Sequence, residues 1–286
     1  MRLPDFFVPG AAKAGTTSLF SYLNQHPSVF IPAIKEPNFF SDFPVREFRT
    51  MEAYLRLYSG CPAGVRAGDA SPSYLPSQNA ASRIFALQPE AKIIILLRNP
   101  VDRAYSLYWQ RRKWFSEELS FEDALAAEEE RTRDGWIFGF RYVGSGLYYE
   151  QIKRFHDVFS KEALQIYLLS DLRDDADAVC RSVFRFLGVA EDYPVRTDKI
   201  YSQTGPYRNR VTGRILAGPF PGRSFLRRIV PRRMKTLKDD MVHRNIDKPP
   251  EMNPETRVML VERFREDIGR LEDLLGRDLG QWLIVR

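Results

Sequence analysis

The sequence predicts a three-layer α/β fold, a central parallel sheet flanked by helices. Three observations carry this reading. Lys92–Leu97 ends in an uninterrupted aliphatic run, the pattern of a parallel strand covered on both faces. Strand-like and helix-like segments alternate over the first two-thirds of the chain, the order that builds right-handed crossovers. The first strand also runs through a turn of small residues directly into a helix. With 286 residues, 44% hydrophobic and 28% charged, the chain is long enough for a full core and reads as one domain spanning residues 1–286.

The elements follow in order. Phe6-Phe7-Val8 is an apolar run stopped by Pro9-Gly10. Ala11 to Gly15 is a loop, and Thr16-Thr17-Ser18 opens a helix carrying Leu19, Phe20 and Leu23 at helical spacing until His26-Pro27 ends it. Ser28 to Ile31 reads as a short strand, Pro32 to Pro37 as a loop, and Met51 to Tyr58 as a helix closed by Gly60. Val65 to Asp69 is a strand entering the turn-rich Ala70-Ser71-Pro72-Ser73-Tyr74, and Ser77 to Leu87 is helical. After the aliphatic strand, Arg98-Asn99-Pro100 starts a helix to about Lys113, with proline in its first turn. Ser120 caps the next helix, with Glu122 and Asp123 in its first turn. Tyr148, Ile152, Phe155 and Phe159 form a helical stripe, Leu164 to Leu169 a strand, and Ala176 to Leu187 a helix ending at Gly188. Tyr201 to Arg233 is rich in Gly, Pro and Arg without periodicity and is expected as a long basic loop over the active face. A last helix has Asn253 as cap, Pro254 in its first position, an apolar stripe from Leu260 to Leu275, and Gly276 as stop.

Composition narrows the function. A formal net charge of +6 favours an anionic ligand, yet no helix-turn-helix, zinc-finger or RNA-binding signature points to nucleic acid. Three histidines and no clustered Cys, His and Asp argue against a metal centre. The longest aliphatic run, Ile93 to Leu97, is too short to span a bilayer, and no basic-then-apolar segment at the N-terminus marks a signal peptide. Cys61 and Cys180 lie far apart in unrelated contexts, which fits a reduced, cytoplasmic protein.

The loop Ala11 to Gly15 is the chemical centre of the sequence. Strand, small-residue loop and helix N-terminus form the layout that holds a phosphate: backbone N–H groups point inward and the helix dipole favours an anion. Lys13, Thr16, Thr17 and Ser18 add one charge and three hydroxyls there. The layout is P-loop-like but not a Walker sequence, which needs lysine directly after the second glycine; here Gly15 is followed by Thr16 and the lysine lies upstream. A second anion-friendly point is Arg98, at the C-terminal end of the buried strand, with Ser106 two turns into the next helix. Two such points on successive crests of one sheet suit a ligand with two separated phosphates.

Lys13-Ala14-Gly15-Thr16-Thr17-Ser18 and Arg98-Asn99-Pro100 with Ala104-Tyr105-Ser106 resemble the two nucleotide signatures of sulfotransferases, enzymes that use 3′-phosphoadenosine 5′-phosphosulfate. Lys35-Glu36-Pro37-Asn38-Phe39-Phe40, Gly68-Asp69-Ala70-Ser71-Pro72-Ser73-Tyr74, Gly146-Leu147-Tyr148-Tyr149 and the C-terminal Leu274 to Leu279 are similar to the same family. They match best the branch with the heparan sulfate N- and O-sulfotransferases and many bacterial enzymes. The resemblance implies that Lys13, Ala14, Gly15, Thr16, Thr17 and Ser18 hold the 5′-phosphosulfate, that Arg98 and Ser106 bind the 3′-phosphate, and that Lys13 and Glu36 act in the transfer, Glu36 as general base. It implies a basic closing loop, best matched by Thr204-Gly205-Pro206-Tyr207-Arg208, with Tyr207 and Arg208 on the nucleotide. Lys35, Phe39, Ser71 and Tyr74 are the expected acceptor contacts, adenosine 3′,5′-bisphosphate is the product, and no metal is implied. Tyr74, Trp109, Trp114, Trp136 and Tyr142 are aromatics available to a cleft.

Sulfuryl transfer needs in-line positioning and a cation on the departing oxygen, which Lys13 supplies, and a base for the acceptor proton, which Glu36 supplies. Another branch of the family uses a histidine base, but His26 in a helix-ending His-Pro pair reads as structural. Ala70 stands where several heparan sulfate O-sulfotransferases have lysine, so acceptor identity does not transfer from that branch. The acceptor is read as an alcohol, or less readily an amine, of a carbohydrate, lipid or small natural product; the basic segment Arg223 to Lys238 suits an anionic acceptor or a membrane surface, and equally a solvated face. A P-loop kinase or NTPase and a non-catalytic nucleotide- or polyanion-binding protein are the alternatives, and nothing in the sequence sets the oligomeric state.

Overall fold

The computed structural model describes residues 2–45, 48–198, 205–209, 213 and 245–285. Its strands are β1 (Phe6–Gly10), β2 (Val29–Phe30), β3 (Arg66–Asp69), β4 (Lys92–Leu97) and β5 (Leu164–Leu168). They pair in the order β2-β3-β1-β4-β5, every pair parallel. The helices are α1 (Thr16–Leu23), α2 (Met51–Leu55), α3 (Ala80–Leu87), α4 (Pro100–Lys113), α5 (Phe121–Ala126), α6 (Glu128–Arg133), α7 (Tyr148–His156), α8 (Leu169–Asp174), α9 (Ala176–Leu187) and α10 (Pro254–Leu275). The predicted parallel sheet flanked by helices is the observed architecture.

Strand order places the site. The chain leaves β1 toward β2 and β3 on one side, and leaves β4 toward β5 on the other. The crevice between the C-terminal ends of β1 and β4 is therefore the switch point where open α/β sheets take ligands. Ile93 to Leu97 are completely buried, as a strand covered on both faces requires. Phe6 and Gly68 are paired across β1 and β3, and a Cβ on Gly68 would lie 2.1 Å from the Phe6 ring. Only glycine leaves room for that ring in the middle of the sheet.

The capping signals hold. Asn99 accepts from the Val101 N–H at 2.9 Å with Pro100 in the first turn of α4, and Ser120 accepts from the Asp123 N–H at 3.1 Å. Gly188 and Gly276 end α9 and α10 in the left-handed conformation, with φ of 68° and 59°. Asp267 of α10 accepts the Tyr148 and Tyr149 N–H groups at 2.7 and 3.2 Å, capping α7 from another element. The Tyr148 hydroxyl in turn donates to the Arg98 carbonyl at 2.9 Å, so this motif fixes the strand end that carries Arg98.

Several boundaries differ from the sequence reading. β2 is confined to Val29 and Phe30, and α2 stops at Leu55 before a 3-10 turn at Arg56–Tyr58. The third helix begins at Ala80, because Asp42 holds the Asn79 N–H at 2.9 Å outside it. β5 ends at Leu168, whose N–H donates to Asp171 at 2.8 Å, and Leu169 starts α8. α7 ends at His156, and Phe159 reaches the core from the turn beyond it. Most of the basic stretch from Tyr201 to Arg233, and all of Arg223 to Lys238, lies outside the described residues. Among the described residues, no helix is long and apolar enough to cross a membrane.

Candidate active site

β1 passes through Gly10 to Ala12 into a turn in which Lys13 has φ 71° and Gly15 φ 94°. Both residues are left-handed, and Gly15 is additionally hemmed in: a Cβ there would meet Leu169 at 2.9 Å and Leu172 at 3.2 Å. No side chain caps α1, so its first N–H groups face the turn. This is the turn that the sequence reads as an anion cradle.

The turn opens on a cavity of about 1210 Å³. Lys13, Gly15, Thr16, Thr17 and Ser18 line it, as do Lys35, Glu36, Arg98 and Ser106. Residues from four separate stretches of sequence thus converge on one space. Ala14 is fully buried beneath the turn, its N–H bonded to the Ala11 carbonyl at 3.1 Å. Lys35 ties the two halves together: its ammonium donates to the Thr17 hydroxyl at 2.6 Å and lies 3.1 Å from the Glu36 carboxylate. The Arg98 guanidinium donates to the Lys13 carbonyl at 3.3 Å, joining the strand-end arginine to the turn. Asp102, in the first turn of α4, pairs with Arg257 of α10 at 3.0 Å.

The turn gathers positive charge in a buried setting. Burial, reinforced by the charges of Lys113, Arg98 and Lys35 and opposed by Glu36, pushes the Lys13 ammonium down to about 7. Burial likewise lowers Arg98, with Arg173 adding to the effect and Asp102 opposing it. Cations gathered this closely repel one another, and a bound anion relieves that repulsion.

The other predicted contacts do not line the cavity. Ser71 and Tyr74 are fully buried and both donate to Asp69, at 2.7 and 2.8 Å. Phe39 stacks on Tyr54 with ring centroids 4.5 Å apart. Thr204 lies outside the described residues. Tyr207 bridges to Ile246 and stacks on Phe115 at 5.7 Å, and Arg208 pairs with Asp247 at 2.8 Å. Phe39, Ser71, Tyr74, Tyr207 and Arg208 are thus held by packing and pairing away from the cavity lining. His26 accepts from the Ser28 N–H at 3.0 Å and lies 2.9 Å from the Ala190 carbonyl, between Phe184 and Tyr193, which is a structural position. Of the aromatics, Trp114 lines the cavity, whereas Tyr142 is buried on Glu117 and Trp136 packs edge-on against Phe140.

Sequence reasoning missed Gln110, Arg111 and Arg173 as lining residues. Ser106 and Gln110 of α4 and its C-cap Trp114 recur every four residues, and following that face from Ser106 finds the first of them. Arg111 donates to the Gly139 carbonyl at 2.9 Å and packs over the Phe140 and Trp114 rings. Arg173 sits on α8, a helix of six residues with no strong periodic signal.

The chain matches the sulfotransferase domain family over residues 3–204. Among solved structures it is similar to a sulfotransferase from Alicyclobacillus acidocaldarius, with 35% identity, 99% of both chains covered and a TM-score of 0.77. It is 28% identical over 99% of its length to the mouse bifunctional heparan sulfate N-deacetylase/N-sulfotransferase 4. It is 31% identical over 67% of its length to the human bifunctional heparan sulfate N-deacetylase/N-sulfotransferase 3. It spans only 31% and 23% of those two relatives. A match of this extent, running through the turn, the Glu36 loop and the Arg98 strand end alike, makes the chain a member of the sulfotransferase domain family.

Proposed function

We propose that the protein transfers a sulfuryl group from 3′-phosphoadenosine 5′-phosphosulfate to an acceptor hydroxyl. The observation that carries this reading is the Lys35 bridge, which sets Glu36 within one side chain of the Lys13–Ser18 turn on the wall of one cavity. The donor nucleotide supplies the activated sulfuryl group. Lys13 and the N–H groups at the start of α1 neutralise charge on the departing phosphate oxygen, a role that needs no metal. Thr17 and Lys35 orient the group at the turn, and Arg98 with Ser106 takes the 3′-phosphate. Glu36 accepts the proton of the acceptor hydroxyl as the oxygen attacks. The residues fit a donor with two anionic ends, because both cationic points open on the same cavity.

The cavity also exceeds the roughly 300–1,000 Å³ of a pocket for one small ligand, as nucleotide and acceptor together require. Its lining also includes Pro72, Leu107, Trp114, Ile137 and Phe138, interleaved with the polar Asn38, Gln110 and Arg111. This mixed lining suits an acceptor that presents both carbon surface and polar groups around its reacting alcohol.

The test uses labelled donor and a panel of alcohols and amines. Wild-type protein should label an alcohol, and Glu36→Gln should lower kcat by about 10²–10⁴-fold, the usual worth of a general base. Affinity for adenosine 3′,5′-bisphosphate should stay within about twofold, since an uncharged amide of the same shape leaves the cradle intact. Full activity in Glu36→Gln would place the base elsewhere.

A further inference from the structure

We propose that Asp69 is a positioning residue for Glu36: its carboxylate fixes, through the Ser71 hydroxyl, the turn that presents Glu36 to the cavity. The inference rests on the reading of Glu36 as the base. Glu36 and Asn38 both hold left-handed backbone, with φ of 61° and 54°, which is uncommon for residues with side chains. A specific set of hydrogen bonds keeps them there. The Asn38 amide donates to the Glu36 carbonyl at 2.5 Å, the Ser73 hydroxyl donates to the Asn38 side chain at 2.6 Å, and the Asn38 N–H donates to the Ser71 hydroxyl at 3.1 Å.

Ser71 owns a single hydrogen, and it goes to Asp69 at 2.7 Å. That leaves a lone pair for the Asn38 N–H. The other Asp69 oxygen accepts from Tyr54 and Tyr74, each at 2.8 Å, and Tyr58 donates to Tyr54 at 3.4 Å. Asp69, Ser71, Tyr54 and Tyr74 are buried and none lines the cavity, so water cannot replace a missing partner, and their effect on transfer passes through the lining residues they hold, Asn38, Pro72 and, through the Asn38 amide, Glu36. An amide or a neutral acid at position 69 has fewer acceptor sites for these hydroxyls, and the Ser71 hydrogen is released to rotate.

The arrangement carries a pH signature. Burial pushes the Asp69 carboxyl up to about 6, with the Glu36 charge adding to the effect and the Ser71, Tyr74 and Tyr54 hydroxyls opposing it. The other titratable groups facing it, Tyr54, Tyr58 and Tyr74, are pushed above their ordinary range by burial and stay neutral. Protonation of Asp69 below about pH 6 therefore loosens the Glu36 turn.

The experiment records kcat against pH with labelled donor and the best alcohol of the panel, and follows the carbon-13 resonance of the Glu36 carboxyl in the bisphosphate complex. Wild type should show an acid limb and a step in the Glu36 resonance near pH 6. Asp69→Asn should lose both features and at least tenfold in kcat, with bisphosphate affinity within about twofold. Ser71→Ala keeps Asp69 but cuts the link, so it should lose the Glu36 step and a similar share of kcat, and it decides the matter if Asp69→Asn does not fold. Either variant keeping wild-type kcat and the Glu36 step would overturn the proposal. Transfer that survives Glu36→Gln overturns the base itself, whereas transfer lost there but intact in Asp69→Asn overturns only the role of Asp69.

Discussion

Lys13 meets two demands that pull its proton in opposite directions. In the free protein, burial and neighbouring cations favour the neutral amine, and its pKa falls to about 7. The unfolded chain, with an ordinary lysine pKa, binds the proton more tightly, so this group adds stability as pH rises from about 7 toward its ordinary value. A phosphosulfate or bisphosphate reverses the balance, because the anion favours the ammonium. Binding at pH 8 should therefore take up close to one proton, and affinity should fall by up to about tenfold per pH unit above 7. Calorimetry in buffers of different ionisation enthalpy measures the uptake; it should vanish in Lys13→Met, and its persistence there would assign the proton to another group. At this scale the sequence was informative about Lys13, Glu36, Arg98 and Ser106, whose side chains face the cavity. It did not show that the Ser71 and Tyr74 hydroxyls donate to the buried Asp69, because a motif does not tell whether a hydroxyl points at a cavity or at a buried carboxylate.

Each element near the site is set by contacts that a local pattern can or cannot reveal. β4 was readable because Ile93 to Leu97 are buried on both faces, and α4 and α10 because their caps are local signals. α6 and α8 were not readable: each has six residues, and α8 is held by a bond to a distant partner, with Arg277 on Asp171 at 2.5 and 2.8 Å. That pair explains why the C-terminal motif belongs with the site, since α8 lies against Gly15 and lines the cavity. The β1–β3 contact gives a test of its own. Gly68→Ala drives a methyl into the Phe6 ring, which is fully buried and has no room to yield. The substitution should cost about 1–3 kcal/mol, as overpacking does, measured as a lower denaturation midpoint with unchanged slope. An unchanged midpoint would mean that the sheet gives way at no cost.

For the whole molecule, the strand order β2-β3-β1-β4-β5 brings the turn after β1 and the arginine after β4 to one crevice, and this juxtaposition underlies the functional reading. The sequence contained it as two motifs 85 residues apart, Lys13 and Arg98, whose meeting depends on topology alone. The rest of the cavity wall was less legible: Gln110 follows from the α4 face that carries Ser106, but Pro72 and Ile137 come from separate loops and share no pattern with it. The central claim is a donor with two phosphate-binding points and no Walker lysine. Isothermal titration with adenosine 3′,5′-bisphosphate, adenosine 5′-monophosphate and ATP, each with and without magnesium, tests it most directly. The account predicts micromolar or tighter binding of the bisphosphate, indifferent to magnesium and reduced about tenfold or more in Arg98→Ala, with the monophosphate weaker and insensitive to that substitution. Preferential binding of magnesium–ATP, or equal affinity for the bisphosphate and the monophosphate, would contradict it.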